Sequence, residues 1–278
     1  MAGKMRGVTV AVTVIFSSAG GIAHADDMRI GGTGAATGIL QRLVETFSAS
    51  NPADSVDIVT GLGSSGGIAA TTEGALNLSV SGRPLKNDEK AKGLDGMPFI
   101  DTPFIFVTSH PRPMTLEKSD VLAIYNGELT RWPDGKEIKP ILRPRSDAVS
   151  GYLIANFAGM QSAMDKLRQR PDVPVAATDQ DNAEAAEKIA NSFTAMTLLQ
   201  FLTERRRLNV IAMDGIEPSV EHMQNGTYSL KTTLHLVTGA QPPAIAQRFM
   251  AFIRTQVAEK LVRESGGVLV FARSASIR

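Results

Sequence analysis

The sequence predicts an α/β fold built on a parallel sheet. In the first third of the chain, short apolar strands alternate with segments of helical periodicity, and each strand runs into a turn rich in glycine and serine. The predicted strands cover residues 28–30, 56–59 and 76–80, and the predicted helices cover residues 37–50 and 68–73. This order is typical of a parallel sheet whose loops gather at the carboxyl ends of the strands, where open sheets bind ligands.

Three polar turns follow these strands: the first turn (residues 31–38), the central turn (residues 61–67) and the third turn (residues 79–85). Glycine and serine allow backbone N–H groups to approach a ligand closely, and a helix that begins at such a turn attracts an anion. A fourth loop, residues 143–150, repeats the pattern in the second half of the chain. Taken singly, each residue also fits an ordinary turn or helix cap, but the four loops together predict one anion site.

The candidate donors of this site are backbone N–H groups, hydroxyls and an arginine, a set that suits a tetrahedral oxyanion. They are the N–H groups of Ala36 and Thr37, the hydroxyls of Thr37, Ser64, Ser65 and Ser81, and the guanidinium of Arg83.

The first 25 residues have the three parts of a secretory signal peptide. Lys4 and Arg6 precede an apolar run at residues 8–16, and Ala23-His24-Ala25 forms a small-x-small cleavage site. The alternative is a buried N-terminal strand. We expect an exported, soluble chain that begins at Asp26 and remains in the periplasm.

Composition narrows the classes of partner and of chemistry. Without Lys4 and Arg6, 27 of the 29 basic side chains remain against 28 acidic ones, which argues against nucleic acid or an anionic membrane as the main partner. The chain has no cysteine, which excludes a cysteine nucleophile, thiolate metal ligands and a lipid-anchored cysteine. The histidines show no metal-ligand spacing, so we expect no bound metal. We also expect no cofactor, and we expect the protein to be a monomer.

The rest of the chain continues the alternation of strands and helices. The apolar segments at residues 102–108 and 234–237 are candidates for crossings between two domains, since prolines follow closely after each. Further strands are predicted at residues 138–142, 173–177 and 209–213, and a helix at residues 151–168. A closing helix at residues 244–264 presents one apolar face to the core, formed by Ile245, Phe249, Phe252, Ile253, Val257 and Leu261.

The order of these motifs resembles the phosphate-binding protein of ABC importers. The resemblance rests on Gly-Thr-Gly-Ala at residues 32–35, Gly-Ser-Ser-Gly-Gly at 63–67, Ser-Gly-Arg-Pro-Leu at 81–85, and Ile-Tyr-Asn-Gly-Glu-Leu-Thr-Arg-Trp at 124–132. It covers most of the mature chain, and the second and fourth of these motifs are the more specific.

The resemblance implies a two-lobe type II periplasmic-binding-protein fold with two crossing strands as its hinge. It places the first lobe at residues 26–107 plus 234–278 and the second lobe at residues 108–233. It also implies an exported, non-enzymatic binding protein that captures phosphate, or a related oxyanion, between the lobes for a membrane permease. A sensor or scavenger of the same fold is the alternative within this class.

Several site residues follow from the resemblance. Ser64 and Arg143 match binding residues of the family, Ala36 stands where a binding threonine is common, and Ser150 belongs to the fourth loop. Asp147 departs from the Ser-Gly-Thr that follows the family's arginine. A carboxylate there can accept the hydrogen bond of a protonated phosphate and repel sulfate; the alternative is that Asp147 faces solvent.

Two enzyme patterns compete with this interpretation. The central turn also fits the G-x-S-x-G of serine hydrolases, with Ser65 as nucleophile and Asp214 and His222 or His235 after it in the right order. Gly32-Thr33-Gly34 after a strand is similar to a dinucleotide loop, but the acidic residue of the next strand, Asp57, comes near its start instead of its end.

Overall fold

The computed structural model describes residues 26–113 and 115–271, so the predicted signal peptide lies outside the described residues. The strands are β1 (Asp27–Gly32), β2 (Ser55–Val59), β3 (Leu78–Ser81), β4 (Leu94–Thr108), β5 (Lys139–Pro140), β6 (Ser192–Thr197), β7 (Asn209–Ile211), β8 (Lys231–Gly239) and β9 (Val268–Leu269). The helices are α1 (Thr37–Ser50), α2 (Gly63–Thr72), α3 (Asn87–Lys90), α4 (Lys118–Asn126), α5 (Ala148–Asn156), α6 (Met160–Leu167), α7 (Asp179–Lys188), α8 (Leu198–Thr203), α9 (Val220–Gln224), α10 (Ala244–Phe252) and α11 (Gln256–Glu264). Within this part of the chain, no helix is long and apolar enough to cross a membrane.

The N-terminal strands form a parallel sheet, as the sequence predicts. β1 lies between β2 and β3 and pairs with both in parallel, with Ile30 opposite Ile58 on one side and Leu78 on the other. β8 joins this sheet antiparallel to β3, and β4 follows antiparallel to β8. The carboxyl ends of β1, β2 and β3 therefore meet at one edge, where the first, central and third turns lie.

Strand β4 is long enough to serve two groups of strands. Its residues 94–103 pair with β8, and residues 104–108 pair with β6 and β7. The sequence predicts only residues 102–108 of it. The missed part contains Pro98, which breaks the strand pattern because proline has no N–H to donate, and the ladder with β8 shifts its register between Pro98 and Ile100.

The apolar core is divided along the same strand. The larger cluster on one side packs α1 and α10 against β1 and β3, with Phe47 and Phe249 in edge-to-face contact 5.4 Å apart. The larger cluster on the other side is formed by residues 104–230, with Phe106 and Phe193 stacked 5.4 Å apart. Each side thus buries its own aromatic residues, each of which removes a large apolar area from water.

The closing segment is two helices, so the prediction of a single helix is wrong. α10 ends at Phe252, and Thr255 caps α11 by accepting a hydrogen bond from the Ala258 N–H. The break changes the helical phase. Ile245, Phe249 and Ile253 are buried as predicted, but Val257 is 55% exposed and Ala258 and Val262 face the core instead.

The predicted helix at residues 151–168 is divided for a similar reason. α5 ends before Gly159, which has a positive φ of 86° and is the N-cap residue of α6. A residue in the left-handed conformation cannot continue an α-helix. Glycine adopts this conformation without a steric cost. The first of the two helices carries the end of the fourth loop into the cleft described below.

Candidate anion-binding site

The first turn places a short 3-10 helix, residues 34–36, directly before α1. Ala36 is fully buried and its N–H donates to the Thr33 carbonyl at 3.1 Å, and Thr37 is half-buried with its N–H bonded to the Gly34 carbonyl. Two neighbouring residues of this turn, and not Ala36 or Thr37, donate hydrogen bonds across the cleft. The donors are the Ala35 N–H and the Thr33 hydroxyl.

The central turn is part of helix α2, which begins at Gly63, five residues before the predicted start. Ser64 therefore stands in the first helical turn, where it is 8% exposed and its Oγ accepts a hydrogen bond from the Gly82 N–H at 2.9 Å. A Cβ built on Gly67 would lie 2.6 Å from the Gly32 Cα, so α2 packs on β1 at a distance that only glycine allows. This close approach brings the central turn beside the first and third turns.

In the third turn, Ser81 and Arg83 are held by contacts on their own side of the cleft. The Ser81 hydroxyl is buried and bonds the Arg83 backbone, donating to its carbonyl and accepting from its N–H. The Arg83 guanidinium donates to both carboxylate oxygens of Glu89, at 2.7 and 2.8 Å, and to the Ser65 Oγ at 3.2 Å. The pKa of Glu89 falls to about 2, mainly because of the hydrogen bond from Arg83.

The fourth loop carries the buried cation of the site. Arg143 is 3% exposed, and its guanidinium donates to the Ala176 carbonyl at 2.8 Å, to both carboxylate oxygens of Asp147 and to Asp179 Oδ1 at 3.2 Å. Ser150 is also buried, and its hydroxyl donates to the Arg143 carbonyl at 3.2 Å. The loop therefore orients the arginine from both its backbone and its side chain.

Asp147 is a helix cap as well as a partner of Arg143. Its Oδ1 accepts a hydrogen bond from the Val149 N–H at 2.9 Å at the start of α5. Burial raises the pKa of Asp147 above its usual range; Arg143 opposes this change and the nearby carboxylate of Asp179 adds to it. The carboxylate lies at the cleft, and its side chain is 14% exposed.

Sequence reasoning missed Asp179, the first residue of α7. Its Oδ2 accepts hydrogen bonds from the Thr33 hydroxyl at 3.1 Å and from the Ala35 N–H at 3.0 Å. The adjacent Gln180 donates to the Gly34 carbonyl at 3.0 Å. The available signal was the capping box that begins at Thr178, but such a box indicates only a helix start.

Two cavities lie along the cleft. The outer one, of about 540 Å³, is lined from both sides by residues that include Arg83, Lys86, Arg145, Asp147 and Lys231. The inner one, of about 20 Å³, is bordered by Thr33, Ala35, Val149 and Asp179. Gly82 and Ala148 border both, and a Cβ built on Gly82 would lie 3.0 Å from the Ala148 Cβ. The two walls of the cleft are therefore in contact between the cavities.

The residues of the hydrolase alternative are not joined to one another. The Ser65 hydroxyl accepts from Arg83, His222 Nδ1 bonds the Glu217 carbonyl at 2.7 Å, and His235 Nδ1 is buried with no hydrogen-bond partner among the described residues. Over the same residues, no group of three histidine or acidic side chains is placed to hold a metal ion.

Comparison with solved structures identifies the fold. The chain is similar to a structure from Clostridium perfringens described as a phosphate ABC transporter substrate-binding protein with bound phosphate, with a TM-score of 0.77, 18% identity, and coverage of 88% of this chain and 99% of that one. It is also similar to an ABC-type phosphate transport receptor from Vibrio cholerae (TM-score 0.61, 18% identity, 87% and 99% coverage). A periplasmic molybdate-binding protein from Azotobacter vinelandii gives a TM-score of 0.59, 15% identity, and 87% and 99% coverage. These likenesses confirm the predicted two-lobe type II periplasmic-binding-protein fold.

Comparison of sequences identifies the family. No curated protein matches the sequence significantly. The family model described as the PBP superfamily domain matches residues 17–256. Since this range is most of the chain, the protein belongs to the PBP superfamily.

Proposed function

We propose that this protein is an exported solute-binding protein that captures a tetrahedral oxyanion, phosphate before others, in the cleft between its lobes and delivers it to the permease of an ABC importer. The ligand meets the Thr33 hydroxyl and the Ala35 N–H on one wall and Arg143 on the other. A bound ligand joins both walls of the cleft, and a permease can recognise this liganded arrangement.

One observation carries the proposal: these donors already hold an oxyanion group. The carboxylate of Asp179 receives hydrogen bonds from Thr33, Ala35 and Arg143, at 3.0 to 3.2 Å. Hydroxyl, backbone N–H and guanidinium groups at one point form a site for a charged oxygen acceptor, because hydrogen bonds to ionised groups are about twice as strong as neutral ones. Two of the similar structures are of phosphate transport proteins, one of them with phosphate bound, which supports phosphate as the first ligand to test.

The lobe boundaries, the export and the role of Asp147 are parts of the same proposal. The division at residues 107/108 and 233/234 is supported by the two core clusters, which separate near residues 100–104 and 230–234. Export to the periplasm is supported by the signal-peptide pattern and by the periplasmic molybdate-binding protein among the similar structures. Asp147 accepts a hydrogen bond from the O–H group of hydrogen phosphate. Sulfate is fully ionised and has no such donor.

The test is calorimetric titration of the refolded mature chain, residues 26–278, with phosphate, sulfate and molybdate in a buffer free of all three. We expect phosphate to bind, and we expect the melting temperature to rise with its concentration. If only sulfate or molybdate binds, that anion replaces phosphate as the assigned ligand. If none of the three binds, the proposal is contradicted.

The role of Asp147 has a separate test with a matched control. Asp147→Asn keeps a helix-capping oxygen and removes the charge, and we expect the preference for phosphate over sulfate to fall. Asp172→Asn is the control, because Asp172 is exposed and, among the residues that the structure describes, its side chain bonds only the nearby Arg170. An unchanged preference in Asp147→Asn would show that Asp147 has no part in selectivity.

A further inference from the structure

The contact between Asp179 and the first turn joins segments that are far apart in the sequence. Asp179 begins α7, on the side of the cleft that carries Arg143, and its carboxylate bonds Thr33 and Ala35 on the opposite side. Its side chain is 9% exposed, so the contact is shielded from solvent. Gln180 adds a second bridge by donating to the Gly34 carbonyl.

The carboxylate occupies the three donors that the proposed function assigns to a ligand oxygen. The inner cavity beside it measures about 20 Å³, which is enough for one water molecule. An anion with four oxygens is several times larger than a water molecule and does not fit beside the carboxylate. A ligand can reach Thr33, Ala35 and Arg143 together only after Asp179 has moved away.

Gly34 permits this close approach. A Cβ at this position would lie 2.3 Å from Gln180 Oε1, 2.8 Å from Asp179 Cβ and 2.9 Å from Asp179 Oδ2. These atoms all belong to the opposite side of the cleft, and Gly34 has no positive φ that would require glycine. The glycine therefore serves the contact with α7 and not the conformation of the turn.

We propose that Asp179 is a tethered competitor of the ligand, an affinity-determining residue of the site. In the ligand-free protein its carboxylate holds the Thr33–Ala35 donors and keeps the cleft closed, and a ligand anion binds by displacing it. This inference rests on the proposed function for the identity of the ligand, but the closing contact itself does not depend on it.

The competition has a measurable consequence for affinity. When only a fraction of the molecules is competent to bind, the apparent dissociation constant is the intrinsic constant divided by that fraction. If Asp179 holds about 90–99% of the molecules closed, it weakens binding by about 10- to 100-fold. Removal of the carboxylate should therefore strengthen phosphate binding, whereas removal of a true ligand-binding residue would weaken it.

Two variants break the contact from opposite sides. Asp179→Ala removes the carboxylate, and Gly34→Ala leaves it in place but adds a methyl group that clashes with Asp179 and Gln180. Glu184→Ala is the matched control, because it removes one negative charge from the same helix. Glu184 is exposed, and within the described part of the chain its side chain bonds only Lys188.

The first readout needs no ligand. We expect the Ala35 amide to exchange its hydrogen faster in Asp179→Ala and Gly34→Ala than in the wild type and in Glu184→Ala, and we expect small-angle X-ray scattering to report a larger radius of gyration for the two variants. Wild-type exchange and dimensions in both variants would overturn the inference.

The second readout is phosphate affinity by calorimetry. We expect tighter binding by about 10- to 100-fold in Asp179→Ala and Gly34→Ala, and no change in Glu184→Ala. Equal or weaker binding in both variants would overturn the role of Asp179 as a competitor. If none of the four proteins binds an oxyanion, the proposed function fails, and the exchange and scattering results still decide whether Asp179 closes the cleft.

Discussion

Two adjacent glycines of α2, Gly66 and Gly67, should respond in opposite directions to the same substitution. A Cβ on Gly67 would lie 2.6 Å from the Cα of Gly32, a backbone atom of β1 that cannot move aside like a side chain. A Cβ on Gly66 meets only the Leu62 Cβ at 3.4 Å, an ordinary contact. Both glycines lie inside the same helix, so the intrinsic gain from alanine is common to both.

The magnitudes follow from these contacts. Overpacking costs roughly 1–3 kcal/mol, and a clash with backbone belongs at the upper end of that range. Alanine in place of a helical glycine contributes about 0.5–1 kcal/mol in the opposite sense. We therefore expect Gly67→Ala to lower the free energy of unfolding by about 2 kcal/mol and Gly66→Ala to raise it by about 0.5–1 kcal/mol.

Thermal unfolding of residues 26–278 without ligand measures the difference directly. For a protein of this size, 1 kcal/mol corresponds to about 2–4 °C in Tm, so the two variants should melt roughly 6–12 °C apart. Equal melting temperatures, or a higher one for Gly67→Ala, would refute the argument that glycine at position 67 is required for the packing of α2 on β1.

Two further predictions concern stability. Phe249 is fully buried against Phe47, and Phe249→Ala should lower the free energy of unfolding by about 3–5 kcal/mol. Val257 lies at the exposed start of α11, and Val257→Ala should change the free energy of unfolding by less than about 0.5 kcal/mol. Denaturant titration measures both values. Glu89 has its pKa lowered to about 2 in the folded protein, so its contribution is present above about pH 5 and is lost as the pH falls through about 2. Glu89→Gln should therefore be less stable than the wild type by about 1 kcal/mol at neutral pH and equal to it only below about pH 2, and a difference that does not change with pH would contradict this assignment.

The sequence predicts an element well where its periodicity is uninterrupted. Helix α1 has the predicted bounds, because apolar residues recur without a break from Ile39 to Phe47 and Asn51-Pro52 ends the pattern. The β1–β3 sheet is likewise parallel as predicted. In these segments local pattern and tertiary packing require the same conformation.

Predictions fail where packing overrides the local pattern. The sequence does not predict strand β6, which pairs with β4 at the centre of the second half of the sheet. Its polar residues Ser192, Thr194 and Thr197 interrupt the apolar pattern expected of a buried strand. They are buried all the same, because hydrogen bonds satisfy their hydroxyls. The predicted strand at residues 173–177 makes only one bridge, between Leu142 and Val175. The closing helix is interrupted by a cap at Thr255 that its apolar period does not reveal.

The same distinction applies to the candidate site. The gathering of the three turns follows from strand order, and the structure places Ser64, Ser81 and Arg83 together there. Asp179 could not be predicted, because its partners Thr33 and Ala35 lie 146 and 144 residues earlier in the chain. Its contact depends on how closely the two walls of the cleft approach each other, which no local pattern records.

The path of β4 and β8 bears on the order in which the molecule can fold. The core cluster of residues 104–230 consists of one continuous stretch of chain, so it can form as soon as that stretch has been made. The other cluster needs α10, α11 and β9, and β3 pairs with β8 only after the whole intervening stretch is available, with Leu78 opposite Thr238. Contacts between distant residues form slowly, and an unpaired strand edge is prone to aggregate. During synthesis from the N-terminus, β1, β2 and β3 emerge first and are completed last, so the edge of β3 stays unpaired until β8 has been made.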